Sequence, residues 1–344
     1  LTDEVQIARG EIMNDATPTA ETGHARASRR TTIPGTELEI SRLAMGTAML
    51  GVTREAQLEA STHAVIEAAL ECGITFFDVA DVYGGGRAEE TLGRALARSS
   101  ARDRVVVQTK CGSPTAEAAG PDLSGAHILR SVEGSLRRLA TDRIDVLLLH
   151  WPDELVEPDE VAGAFDQLHA AGKVRHFGVS NHNPLQIETL ARSLRQPLVA
   201  NQIELGLAKW MASDDPTMAR LTHGFSGVRT VDYCRSRGIQ VQAYSPLRGR
   251  RFSAALAERD DSWLPAPQRA LGRLLTEIGA RYGVGPGVIM LAWLLRHPAG
   301  IVPVMGASSP SRVRENARAD AIDLTRHEWN ELLSFATELP PLHH

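Results

Sequence analysis

The feature that most constrains this chain is a rhythm. From Leu38 onward, short apolar and β-branched runs alternate with longer stretches of helical periodicity. The short runs cover 43–46, 75–78, 105–110, 144–150, 174–180, 199–203, 239–244 and 301–304. Between them lie amphipathic stretches such as 58–72, 88–97, 126–140, 161–171, 185–194 and 228–237. Eight strands interleaved with helices predict an α/β fold, a single-domain (β/α)8 TIM barrel, with spacing that allows right-handed crossovers throughout. A doubly wound sheet is the alternative, but it rarely reaches eight evenly spaced units.

Two connections break the rhythm. Residues 204–227 follow the sixth strand, and residues 247–267 follow the seventh. Connections this long in a compact domain are usually functional or mobile, and both leave the C-terminal rim. The barrel is expected over 36–340. Residues 1–35 are polar, lack an apolar signal-peptide core, and are expected to be a disordered extension.

The ends of three successive runs carry groups that do acid–base chemistry. Asp78 ends one, with Tyr83 five residues on; Lys110 ends the next; His150 ends the third. Ionisable side chains at strand ends present chemistry on one rim of a parallel barrel. A phenol has an ordinary pKa near ~10, and a neighbouring ammonium favours its phenolate. Lys110 is expected to lower the Tyr83 pKa in this way, with Asp78 holding Lys110 and His150 facing the same reacting oxygen. Each residue alone also has a plain structural reading, as ion pair, rim aromatic or satisfied histidine. Their shared location favours proton transfer.

Other classes fit poorly. The net charge of −5 lacks the basic excess of a nucleic-acid binder. No apolar run approaches the ~20 residues of a membrane span. Cys72, Cys111 and Cys234 form an odd set without a CxxC pair, so neither a disulfide framework nor a cysteine zinc site is expected, and a cytoplasmic location is. A metal-dependent hydrolase on this barrel commonly needs a His-x-His pair ending strand one; LAMGTAM at 43–49 has no histidine. No metal is expected.

With Asp78, Tyr83, Lys110 and His150 in this order, and GKVRHFGVSN at 172–181, NQIE at 201–204, AYSPL at 243–247 and GASSPSRVREN at 306–316, the chain resembles the aldo-keto reductase superfamily over roughly residues 38 to 336. The resemblance implies reduction of an aldehyde or ketone to an alcohol with a nicotinamide cofactor, Tyr83 acting as general acid. The partner is then a small carbonyl or alcohol, with neither nucleic acid nor membrane. A cofactor-binding regulatory subunit with little turnover is the rival reading.

The family holds its cofactor without a Rossmann domain, and no GxGxxG follows a strand here. By resemblance, Ser180, Asn181 and Gln202 hold the nicotinamide carboxamide and Tyr244 stacks on its ring. Gly46 and Thr47 also touch the cofactor. Ser245, Leu247 and Gly249 line the pyrophosphate, and Gly306, Ser308, Arg312, Glu315 and Asn316 take the adenosine end. The residues themselves suit phosphate: Ser309 can cap a helix that Pro310 opens, and Arg312 can grip an anion bidentately. Many members carry a Lys-Ser pair where this chain has Gly306-Ala307. NADPH is favoured through Arg312, and NADH is the alternative. Met49, Trp151 and Trp210 join Tyr83 and His150 as expected substrate contacts, while Cys111 reads as an inert small residue.

Overall fold

Eight parallel strands close on themselves, each delivering its C-terminal end to the same rim. The computed structural model describes residues 28–48, 56–114, 120–207, 227–247 and 266–338. Two short antiparallel strands, β1 (Arg30–Thr32) and β2 (Glu39–Ser41), come first. The barrel strands are β3 (Ala44–Gly46), β4 (Phe76–Asp78), β5 (Val106–Cys111), β6 (Ile144–Leu149), β7 (Val174–Ser180), β8 (Leu198–Glu204), β9 (Gln240–Tyr244) and β10 (Val302–Gly306). They pair in chain order, and β10 pairs with β3 to close the ring. This is the (β/α)8 architecture that the alternation predicts, and every expected strand lies within two residues of an observed one.

The helices are α1 (Ala56–Glu71), α2 (Arg87–Arg98), α3 (Gly125–Leu139), α4 (Pro158–Ala170), α5 (Pro184–Ala191), α6 (Gly227–Arg237), α7 (Ala266–Tyr282), α8 (Pro286–Leu295), α9 (Pro310–Ala317) and α10 (Arg326–Glu338). Most of the two long connections lies outside the described residues. Among the described residues no single helix is long and apolar enough to cross a membrane. Helix α8 is apolar on all sides because it is enclosed by α7, α9 and β10. There Trp293 stacks on Trp329 with centroids 4.9 Å apart, and each indole N–H donates to the other residue's carbonyl, at 3.1 and 3.0 Å. A capping box opens α10: Glu328 Oε2 accepts from Thr325 N, and Glu328 N donates to Thr325 Oγ1.

The barrel has an apolar floor. Strand side chains alternate faces, so Phe76, Val106, Val146 and Val302 share the interior. Ile33, Leu38 and Ile40 of the β1–β2 hairpin join that cluster and seal the end opposite the catalytic rim. Residue 36, where the barrel is expected to begin, lies inside this hairpin. The backbone pairs Arg30↔Ser41 and Thr32↔Glu39 tie the two sides together. Arg29 bonds Asp320 through its backbone and its guanidinium, and Arg42 reaches the same carboxylate at 3.0 Å. A polar three-residue strand carries no apolar period, so periodicity alone assigns it to the extension.

Candidate active site

Strand register stacks the first two groups. Asp78 on β4 pairs with Gln108 on β5, so Lys110 sits two residues higher on the same inward face. The Lys110 ammonium is fully buried and spends its three donors locally: Asp78 Oδ2 at 2.7 Å, Val79 O at 3.1 Å and Tyr83 Oη at 3.4 Å. Burial alone would depress the lysine, but the Asp78 charge, with the hydrogen bonds to Asp78 and Tyr83, outweighs it and holds Lys110 above its ordinary value.

Tyr83 opens a short 3-10 turn, Tyr83–Gly86. Gly84 and Gly85 have φ of 59° and 66°, left-handed values that let the loop fold back over the strand end. Before the turn, Val79 N bonds Gln108 O at 2.9 Å and Asp81 N bonds Lys110 O at 3.1 Å, extending the ladder beyond β4. The result is a phenol aimed at the lysine from above. Its pKa is raised, first by burial; Lys110 opposes this, and Asp78 and Asp81 reinforce it. The expectation that Lys110 brings the phenol below its ordinary value is corrected: the ammonium offsets only part of the desolvation. Tyr83 therefore holds its proton at neutral pH.

His150 follows β6, its backbone N–H on Cys111 O at 2.8 Å. Its ring meets Tyr83 edge-on, with centroids 5.8 Å apart, and lies parallel to the half-buried Trp151 at 6.2 Å. Burial, with help from Lys110, pushes the imidazole pKa well below its ordinary value, so the ring is neutral. Ser113 Oγ lies 2.8 Å from Nδ1. Cys111 is buried, and burial pushes its thiol well above the ordinary value.

Asp78 is saturated from below. Oδ1 accepts from Gln108 Nε2 at 2.7 Å and Gln202 Nε2 at 2.8 Å, and the backbone carbonyl accepts from Thr47 N and Thr47 Oγ1, both at 2.9 Å. Thr47 is fully buried, and its hydroxyl serves the backbone carbonyl at the strand end.

The opposite arc of the rim holds the residues assigned to a cofactor. Ser180 Oγ donates to Gln202 O at 2.8 Å. Asn181, at φ 62°, donates through Nδ2 to His150 O and Ser180 Oγ, both at 3.1 Å, and accepts at Oδ1 from Tyr244 Oη at 3.0 Å. The half-buried Tyr244 is therefore anchored at its hydroxyl, and the exposed Ser245 follows with a left-handed φ of 51°. Gly46 is half-buried at the end of β3, beside Asp78 and Gly306 in the register, and Leu247 is half-buried after β9. Next around the ring is the end of β10, where a Cβ at Gly306 would meet nothing within 4 Å among the described residues. Ser309 caps α9, its Oγ accepting from Arg312 N, and Pro310 takes the first helical position as expected. Ser308, Arg312 and Glu315 are exposed; Asn316 is buried. An anchored aromatic face, open space at a strand end, and a helix N-terminus bearing an exposed arginine suit a ligand with one ring and one phosphate-rich end. Met49, Trp210 and Gly249 lie outside the described residues.

Three residues in this site are absent from the expected set: Gln108, Gln242 and Ser113. Gln108 and Gln242 each stand two residues before a site residue, Lys110 and Tyr244, on the same strand. Period two places them on the same face, a signal present in the sequence. Ser113 lies beyond the strand, where no periodicity points to its partner.

The aldo/keto reductase family profile matches residues 42–336. The chain is similar to a 6-dehydroglucose reductase of Agrobacterium fabrum, 37% identical over 309 residues, covering 87% of this chain and 95% of that protein. It is also 37% identical over 279 residues to the uncharacterized oxidoreductase YcsN of Bacillus subtilis, covering 79% of this chain and 86% of that one. Among solved structures it is similar to a thermostable aldo-keto reductase, Tm1743, in complex with the inhibitor epalrestat: TM-score 0.71, 28% identity, 89% of this chain and 99% of that one. With its barrel and strand-end residues, this chain belongs to the aldo/keto reductase family, oxidoreductases that reduce carbonyl compounds with a nicotinamide cofactor.

Proposed function

We propose that this enzyme reduces an aldehyde or ketone to an alcohol, with Tyr83 as the proton donor and NADPH as the preferred reductant. The observation that carries the reading is the chain of contacts from Asp78 through Lys110 to Tyr83, with a neutral His150 ring against the phenol. Ser180, Asn181, Gln202 and Tyr244 would hold a nicotinamide, which would supply the hydride for the carbonyl carbon. The carbonyl oxygen gains charge as it is reduced, and Tyr83 Oη gives it a proton. Lys110 stabilises the phenolate left behind, and Asp78 keeps Lys110 in place. In this reading Ser113 Oγ, 2.8 Å from His150 Nδ1, acts as the donor of that pair, which places the imidazole proton on Nε2, toward the same oxygen. Trp151, parallel to His150, walls the carbonyl site. Arg312, Ser308, Glu315 and Asn316 take the adenosine end, and Arg312 supports NADPH over NADH.

The test is a carbonyl and alcohol panel read by nicotinamide absorbance, with NADPH and NADH in parallel. Because the Agrobacterium relative is named a 6-dehydroglucose reductase, the panel includes that sugar aldehyde. Tyr83→Phe is expected to remove turnover while leaving cofactor binding within a few-fold of wild type. Near-normal carbonyl reduction by Tyr83→Phe would overturn the assignment.

A further inference from the structure

A proton donor of tyrosine and lysine needs no amides beneath it, yet three lie there. Gln108 on β5, Gln202 on β8 and Gln242 on β9 fill the barrel interior below Lys110, exposed by 0%, 1% and 0%. Gln108 Nε2 donates to Asp78 Oδ1 at 2.7 Å and to Gln242 Oε1 at 2.7 Å. Gln202 Nε2 donates to the same two oxygens, at 2.8 and 3.0 Å. Gln242 Nε2 returns a bond to Gln108 Oε1 at 2.9 Å and reaches Gln240 Oε1 at 3.4 Å.

The pattern has a single consistent sense. A carboxylate only accepts, so Gln108 and Gln202 must turn their NH2 groups toward Asp78. Each then has one N–H left, and Gln242 Oε1 receives both. That choice leaves the Gln242 NH2 for Gln108 Oε1. Reversing any one amide sets oxygen against oxygen or N–H against N–H in a dry interior.

We propose that Gln242 and Gln108 are positioning residues for the proton donor. Gln242 never touches Asp78; it locks the amides of Gln108 and Gln202, which clamp Oδ1 so that Oδ2 presents Lys110 to Tyr83. Among the described residues, the charged or titratable groups facing the phenol are Asp78, Asp81, Lys110 and His150. Amide N–H dipoles aimed at Asp78 temper its charge. Loosening them leaves more negative potential at the phenol and raises its pKa. The kinetic part of this inference rests on the function proposed above; the titration part does not.

The test compares wild type, Gln242→Met and Gln242→Glu, with Tyr83→Phe as reference. Tyrosine 13Cζ NMR follows each phenol through the alkaline range in cofactor-free protein, and kcat is measured against pH at saturating NADPH. In Gln242→Met the Tyr83 midpoint is expected to rise by about half a pH unit while Tyr233 and Tyr282 stay put, and kcat to fall about tenfold. Gln242→Glu is a conservative replacement only when the introduced carboxyl is protonated. Its hydroxyl then donates to Gln108 Oε1, and its carbonyl accepts both N–H groups. It should match wild type at low pH and lose kcat as that carboxyl ionises, an added decline that wild type lacks.

An unmoved Tyr83 midpoint, with wild-type kcat profiles in both variants, would overturn the proposal. So would a kcat loss in Gln242→Glu that is the same at every pH. Should Gln242→Met not fold, Gln242→Glu across its ionisation carries the test alone. A shifted midpoint in a protein that reduces no carbonyl would sink the proposed function and leave the positioning role standing. Loss of turnover in Tyr83→Phe, with Gln242→Met unchanged, would do the reverse.

Discussion

Replacing Lys110 by Met separates what the lysine does for catalysis from what it does for the fold. Its ammonium lies 3.4 Å from Tyr83 Oη. At that separation, with an effective dielectric near 20, a charge on the phenolate gains about 5 kcal/mol, or between three and four orders of magnitude in rate. Part is recovered when water enters, so a kcat loss of about a thousandfold is expected. The same substitution leaves Asp78, 2% exposed, without its cation. Breaking a buried pair costs ~3–5 kcal/mol, and since Gln108 and Gln202 still donate to Oδ1, about 3 kcal/mol is expected. Adding Asp78→Asn removes the stranded charge: the new carbonyl accepts from both glutamines. The double variant should regain about 2 kcal/mol of stability and no activity. Urea unfolding followed by circular dichroism, beside steady-state kinetics, measures both quantities. The reasoning fails if Lys110→Met is as stable as wild type, or if the double variant is no more stable than the single.

Two further outcomes follow from the geometry. Ser113→Ala removes one neutral hydrogen bond to His150 Nδ1; kcat/KM for the carbonyl should fall about fivefold, with NADPH affinity unchanged and Ser113→Thr close to wild type in the same assay. His182 is buried, Nδ1 2.8 Å from Ser180 O, and burial lowers its pKa to about 4. The unfolded chain binds that proton first, near ~6.5, so stability falls as pH drops from there toward 4, by about 3 kcal/mol on this residue's account. Unfolding free energies measured across that range should show a shallower decline for His182→Asn; an identical slope would refute the assignment.

Much of the site was legible because both kinds of signal in it are local. An apolar run ending at Asp78, Lys110 or His150 states where a strand stops and what it presents. Eight such runs separated by helical stretches leave few ways to bury both faces of every strand, and a closed barrel is one. The hairpin at 30–41 was not legible, because its worth lies in contacts far away: Ile33 and Ile40 against the barrel floor, and Arg29 and Arg42 on Asp320.

The architecture, the groups at the strand ends and the cap that opens α9 can be read along the chain, because they follow from periodicity, strand termini and neighbours a few residues apart. How those groups act on one another is set by the fold. Whether Lys110 or burial governs the Tyr83 phenol depends on the balance between a charge at 3.4 Å and the loss of water around the ring. That the amides of Gln108, Gln202 and Gln242 close around Asp78 depends on three strands, separated by as many as 134 residues, meeting inside one barrel. Electrostatics and hydrogen-bond satisfaction depend on distance in space and on the exclusion of water, and a linear pattern encodes neither directly.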